Sequence, residues 1–281
     1  MRVVLCQRAS TVGEVKPNLA QALEDVAEHG PDADLVLFPE LFLTGYTAGQ
    51  RHRELALDLD GSVLDELARA AREQGTAILI GGPRQGEDGT HNSAFLLAPD
   101  GQRHAYDKVH LPTFDVFEEG LVFEPGNRGL IVDLGDVTLG IAICYDLFFP
   151  EITKDLAMRG ADVLATISAG PTTSSDYFEA VLPARALETT SFVLYGNLVG
   201  TQGEITFGGG SQAISPLGET LIEPAGRDET VLTAELDLDH VDLARRKRPA
   251  LRDTRMARGQ PAKGQAPWPT TREELEDADA D

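Results

Sequence analysis

Two periodicities alternate along the chain. Val3 to Cys6, Leu35 to Phe38, Ala77 to Ile80, Val137 to Ile143, Val163 to Ile167 and Phe192 to Tyr195 are short, continuous apolar runs. Runs of that length predict strands buried on both faces. Between them, Asn18 to Glu28 and Val63 to Glu73 space their apolar residues three and four apart, which predicts amphipathic helices. Glu151 to Met158 follows Pro150, a residue suited to a helix's first turn. Tyr177 to Glu188 is a further helix, with Pro183 expected to kink or split it.

Hairpin signals are interleaved with these elements. Pro99-Asp100-Gly101 separates Ser93 to Leu97 from Arg103 to Tyr106, and Pro216-Leu217-Gly218 separates Gln212 to Ser215 from Thr220 to Glu223. Strand–helix alternation plus hairpins predicts an α/β fold with mixed sheets. No repeat and no composition break divides it. After Arg248 the character changes: Pro249 to Pro269 is polar and proline-punctuated, and Thr271 to Asp281 is acidic. The expected organisation is one domain over residues 1–255, then an extended arm and a disordered acidic tail over 256–281.

Composition narrows the partners. The 281 residues carry a formal net charge of -22, so the basic clusters that nucleic acid or an anionic membrane would need are missing. The N-terminus lacks the apolar core of a signal peptide, and no apolar run approaches the ~20 residues of a membrane span. A soluble, cytoplasmic protein is expected. Two cysteines, Cys6 and Cys144, exclude a disulfide scaffold, and the six histidines show no metal-ligand spacing. Lysine is nearly absent: Lys16, Lys108, Lys154, Lys247 and Lys263 are the only five, and arginine supplies the rest of the 24 cations. Acid excess with lysine depletion suits a protein living in molar salt; the alternative is an ordinary acidic enzyme.

Two motifs mislead. Gly208-Gly209-Gly210-Ser211-Gln212-Ala213 fits a dinucleotide-binding pattern and nearly fits a serine nucleophile elbow. Both need a helix immediately afterwards, and the sequence continues as a strand and a turn. The glycines are expected to let two backbones approach closely.

Three other positions carry chemistry together. Cys144 ends LGIAIC, where polar residues follow and a helix begins near Pro150. The C-terminal ends of strands are where α/β folds build sites, and a helix N-terminus would favour a thiolate. Cys6, in mid-strand, reads as a small core hydrophobe. Glu40 lies among Phe38, Leu41, Phe42 and Leu43, where an unpaired carboxylate is costly to bury. Lys108 stands where the Arg103 to Tyr106 strand ends, with Glu118 and Glu119 ten and eleven residues on. A carboxylate to take a thiol proton, a thiolate to attack and an ammonium to hold an oxyanion form one machine.

With those residues the chain resembles the nitrilase superfamily of carbon–nitrogen hydrolases, from Val3 to about Arg255. The blocks are FPELFLTGY around Glu40, YDKVHLP around Lys108 and ICYDLFFPE around Cys144, supported by ARALET, Asn197 with Gly200, GGGSQAISPLGE and RRKRPALRDTR. The resemblance implies an α-β-β-α sandwich and a homodimer or larger homo-oligomer, with the arm crossing onto the partner. It implies Glu40 as general base and acid, Lys108 as oxyanion-stabilising cation and Cys144 as nucleophile. A second glutamate positions the lysine and the substrate. Counted back from Phe123-Glu124-Pro125-Gly126, it aligns with Glu119, with Glu118 the alternative. The Tyr145 N–H completes the oxyanion hole, and Tyr46, Phe148 and Glu118 join the substrate-binding group. No metal or organic cofactor is implied.

Cys-Tyr-Asp after the strand is similar to amidases more than to nitrilases, which favours a small amide, with a thioester intermediate and release of ammonia. A nitrile or N-carbamoyl hydrolase, an acyl-transferring member and a catalytically silent relative are the alternatives. Many amidase-like members place arginine where this chain has Phe148, and Ala169-Gly170-Pro171 departs from the frequent Asn-Pro. The halophile reading has its own test. Charge repulsion reaching ~10 Å at 0.1 M salt is screened to about 3 Å at 1 M. The thermal midpoint should therefore rise between physiological and molar potassium chloride. A flat or falling midpoint returns the charge to ordinary variation.

Overall fold

The computed structural model describes residues 1–257. Two six-stranded mixed sheets face each other. The first has the order β14-β1-β2-β3-β4-β5, with β1 Arg2–Gln7, β2 Leu35–Leu37, β3 Ala77–Gln85, β4 Thr90–Leu97, β5 Arg103–Asp107 and β14 Thr230–Glu235. The second has the order β13-β12-β9-β8-β7-β6, with β6 Leu130–Asp133, β7 Thr138–Ile143, β8 Val163–Ser168, β9 Phe192–Asn197, β12 Gln212–Ile214 and β13 Thr220–Ile222. A short hairpin, β10 Thr201–Gln202 with β11 Ile205–Thr206, stands apart. In the first sheet β1, β2 and β3 run parallel, and in the second so do β7, β8 and β9; antiparallel strands flank each trio.

The period-two alternation of each strand divides the core into layers. Val3 and Leu5 of β1 join Leu37, Leu79, Ile141, Ile143 and Ala165 between the sheets. Val4 and Cys6 point the other way, onto Leu19, Ala22 and Val26 of α1 (Val15–His29) and Leu64, Leu67 and Ala71 of α2 (Ser62–Gln74). Leu156 of α3 (Pro150–Met158) with Leu182 and Ala186 of α4 (Ser175–Thr189) covers the second sheet. The result is an α-β-β-α sandwich.

Two expectations change and one holds. Pro183 lies inside a continuous α4. The carbonyl it leaves without an N–H partner is that of Glu179, four residues back on the exposed face, where water can take it. The stretch after Arg248, expected as an extended arm, opens as a helix: α5 (Asp239–Lys247) is followed by α6 (Ala250–Ala257). Pro249 sits where its missing N–H costs nothing and accepts from the Asp253 N–H, and Leu251 is buried. The remainder of the expected arm and the acidic tail lie outside the described residues. The glycine-rich stretch is followed by β12 and not by a helix, and a Cβ on Gly209 would stand 2.4 Å from the Gly226 carbonyl oxygen.

A close backbone approach lies beside Glu40. A Cβ on Gly81 would meet the Leu41 nitrogen at 2.4 Å, the Pro39 oxygen at 2.5 Å and the Glu40 Cα at 2.7 Å. β3 can lie against the turn after β2 only because residue 81 has no side chain. Gly81→Ala should therefore cost about 2–3 kcal/mol, as overpacking against backbone does. Gly226→Ala, with open space around its Cβ, should change stability by less than about 0.5 kcal/mol. Urea unfolding of both variants checks the pair; equal midpoints would mean that the Glu40 turn yields freely.

Candidate active site

Glu40, Lys108 and Glu119 converge in the buried space between the sheets. Glu40 follows β2 on a turn in which Leu41 adopts φ +49°. Lys108 follows β5, its N–H bonded to the Asn92 carbonyl of β4. Glu119 opens a single 3-10 turn within the long connection between β5 and β6. The Lys108 ammonium donates to Glu40 Oε1 and to Glu119 Oε1, both at 2.7 Å. Glu40 and Lys108 are 0% exposed and Glu119 4%.

The remaining carboxylate valences are filled. The Ala169 N–H donates to Glu40 Oε2 at 2.7 Å, and the Glu40 N–H returns a bond to the Ser168 carbonyl, clasping the first sheet to the end of β8. The Tyr46 hydroxyl donates to Glu119 Oε1 at 2.7 Å. The Asn92 amide bridges the pair, 2.7 Å from Glu40 Oε1 and 3.2 Å from Glu119 Oε2. Glu118, the alternative to Glu119, is exposed and does not join this cluster.

Cys144 ends β7 and begins a 3-10 turn, Cys144–Phe148, with φ +47°. A non-glycine residue is strained there and persists only where its surroundings hold it. The holder is Asp146. Its carboxylate accepts from the Ile143 N–H at 3.4 Å, the Tyr106 hydroxyl at 2.7 Å and the His110 N–H at 2.9 Å, and the His110 ring stands 3.0 Å away. Tyr106 and His110 flank Lys108, so one carboxylate ties the cysteine turn to the lysine. Cys144 opens onto a cavity of about 280 Å3 that Tyr145, Phe148 and four further aromatic side chains line. Glu119, Tyr46 and Glu118 border a second cavity of about 410 Å3.

The sequence model of the carbon-nitrogen hydrolases matches residues 2–246. The chain belongs to the carbon-nitrogen hydrolase family. Over 258 residues it is 34% identical to an (R)-stereoselective amidase of Pseudomonas sp, covering 91% of this chain and 92% of that one. A superfamily protein of Xanthomonas campestris, solved with an arsenic adduct in its active site, superimposes with a TM-score of 0.83 at 27% identity, covering 90% and 96% of the two chains. An amidase of Nesterenkonia sp. AN1, solved with acrylamide added at its active-site cysteine, gives 0.76 at 28% identity over 90% and 99%.

Burial sets the electrostatics of this carbon-nitrogen hydrolase. It pushes the Cys144 thiol upward, Glu40 adds to the rise, and Lys108 and the Ser168 hydroxyl work against it. These surroundings work against ionisation of Cys144, the opposite of the bias toward a thiolate that a helix N-terminus was expected to give. Burial opposes the Lys108 ammonium, but Glu119 and Glu40 outweigh it and hold the charge. Glu119 is pushed up to about 7 by burial, against the pull of Lys108 and with a further push from Glu40. Cys6 is raised by burial as well, with a further push from Asp25 and a smaller opposing pull from Arg8.

Several contacts escaped the sequence. Asn92 lies one residue before the expected strand, and its signal was a polar side chain in a run that is buried throughout. Ser168 links Cys144 to Tyr195, whose hydroxyl donates to it at 3.1 Å. Among the described residues no group of three or more His, Cys, Asp or Glu is placed to hold a metal ion, and no helix is long and apolar enough to cross a membrane.

Glu119 has a measurable signature. Its folded value of about 7 stands above the ordinary 4.5, so the fold prefers the protonated form. The stability this contributes is complete below about pH 4.5 and is lost as pH rises through about 7. A Glu119→Gln variant lacks that titration. Its thermal midpoint should gain on the wild type between about pH 5 and about pH 8.5, by up to about 3 kcal/mol in stability. A constant gap across that range would mean that Glu119 titrates as a surface carboxylate does.

Proposed function

We propose that the protein is a cysteine-dependent amide hydrolase that releases a carboxylic acid and ammonia through a thioester. The observation that carries the reading is the buried Glu40–Lys108–Glu119 cluster, with Cys144 held in left-handed backbone at the end of the neighbouring strand and its thiol pushed up by burial. A buried thiol needs a base at the moment of attack, and Glu40 is the carboxylate whose charge it feels most. The amidase relatives and the Cys144-Tyr145-Asp146 sequence favour an amide over a nitrile.

In the reaction Cys144 Sγ bonds to the substrate carbonyl carbon while Glu40 takes the thiol proton. The carbonyl π electrons move onto oxygen, where the Lys108 ammonium and the Tyr145 N–H receive the charge. Glu40 returns its proton to the nitrogen, the C–N bond breaks, and ammonia leaves. Glu40 next takes a proton from water as that water attacks the thioester. The second tetrahedral intermediate expels the thiolate, which recovers the proton from Glu40. Lys108 stays an ammonium throughout, because two carboxylates oppose its deprotonation. Glu119 and Tyr46 position Lys108 and the leaving amine.

Cys144→Ala should abolish turnover with the fold intact, while Cys6→Ala should cost packing alone. Lys108→Arg should lose about a hundred- to thousandfold in kcat, close to Lys108→Ala, because a planar guanidinium cannot put a point charge at the same oxyanion position. Ammonia and free acid measured together read the reaction. A new amide in place of free acid would mean acyl transfer, and wild-type rates in Cys144→Ala would refute the mechanism.

A further inference from the structure

The cavity at Cys144 has a chemistry of its own. Phe114, Phe117, Tyr145, Phe148, Tyr177 and Phe178 line it, with Pro112, Pro171 and Ser174 between them. Five of these rings, all but Tyr177, form a connected series. Phe117 meets Phe114 at 5.4 Å, Phe114 meets Tyr145 at 5.5 Å, Tyr145 meets Phe148 at 5.7 Å, and Phe148 meets Phe178 at 5.2 Å. Phe178 in turn contacts Tyr195 at 5.0 Å, the residue that reaches Cys144 through Ser168. Among the described residues lining this cavity none is charged. Phe114 and Tyr177 are 50% and 65% exposed, so the apolar wall reaches out to solvent.

We infer that the acyl part of the substrate is an uncharged, apolar group of aralkyl or medium alkyl size. This rests on the amide hydrolase reading. Size follows from the void: an apolar cavity of ~150 Å3 takes up a benzene ring, and about 280 Å3 leaves room for a ring and its tether. Charge follows from what the wall lacks. A carboxylate on the acyl group would leave water with no cation to meet it, next to a cluster that already holds two carboxylates against one ammonium. Arg227 lies in a neighbouring cavity of about 220 Å3 that shares Pro171 and Phe178, and Glu179 stands there with it. A cationic acyl group could find ring faces, but no lining carboxylate would replace its hydration. Ring-on-ring contact with an apolar acyl chain uses what the wall offers and strands no polar group. Phe148 is the pivotal residue, since it joins the two halves of the ring series at the floor beside Cys144.

The test uses the full chain and reads ammonia release from phenylacetamide, hexanamide, acetamide, succinamate and betaine amide. kcat/KM for phenylacetamide and hexanamide should exceed that for succinamate and betaine amide by about a hundredfold or more. Phe148→Arg should shrink the phenylacetamide-to-succinamate ratio by about tenfold or more. Should that variant not fold, Tyr177→Ala at the exposed rim should lower kcat/KM for phenylacetamide more than for acetamide. Calorimetry on Cys144→Ala reads binding without chemistry and should find phenylacetamide bound and succinamate not. Succinamate or betaine amide turned over within tenfold of phenylacetamide would overturn the acyl-group proposal and leave the hydrolase standing. Selective phenylacetamide binding by Cys144→Ala, with no ammonia from any amide in the wild type, would refute the hydrolase reading and keep the apolar preference. No binding preference would overturn the proposal outright.

Discussion

Two carboxylates and one ammonium share a buried space, and the surrounding structure is arranged around keeping them there. An isolated buried charge is costly by several kcal/mol, and removing one member of a buried ion pair commonly costs about 3–5 kcal/mol. Here each oxygen of Glu40 and Glu119 accepts at least one hydrogen bond, from Lys108, Asn92, Tyr46 or the Ala169 N–H. Negative charge still exceeds positive by one, and the fold resolves the excess by holding a proton on the cluster near pH 7, with Glu119 as its most favourable seat. The same imbalance keeps Lys108 charged and raises the cost of ionising Cys144.

Holding that cluster requires both sheets. Glu40, Asn92 and Lys108 come from the first; Cys144, Ser168 and Ala169 come from the second. Two polar bridges lock them in register. One is the reciprocal pair between Glu40 and residues 168 and 169, and the other is Asp146 with Tyr106 and His110. The first bridge fixes the Glu40 carboxylate directly, and the second fixes the cysteine turn against the strand end that carries Lys108. The His110 ring also stacks on Phe149 at 3.5 Å, which stiffens the cysteine turn from its outer side.

Part of the backbone strain falls at the same place. Leu41 and Cys144, neither of them glycine, take left-handed backbone on the two turns that present Glu40 and Cys144. Such residues cost on the order of 1–3 kcal/mol each and survive where neighbours over-determine them. At Leu41 the neighbour is Gly81, whose missing side chain admits the turn. The sandwich supplies the stability, and the site spends some of it on geometry.

Much of this was legible in one dimension. Continuous apolar runs located the core strands, three-and-four spacing located α1 and α2, and Glu40, Lys108 and Cys144 stood at strand ends in motifs that a family resemblance could read. Those features are local, because periodicity and end position depend on neighbours in sequence. What was not local stayed hidden. Glu118 and Glu119 are adjacent and chemically alike, and only the course of the loop over Pro112 decided which one meets Lys108. Asn92, Ser168 and Tyr195 looked like polar residues in or near strands until the two sheets were brought face to face. Phe114, Phe117, Tyr177 and Phe178 lie far from Cys144 along the chain and become its wall in three dimensions. The sequence alone determined the core strands, the amphipathic helices α1 and α2 and the strand-end positions of the three chemical groups, because each is encoded by local pattern. The tertiary structure decided their partners and their surroundings, because a buried carboxylate's protonation and a pocket's polarity depend on atoms that the chain brings together only when it packs.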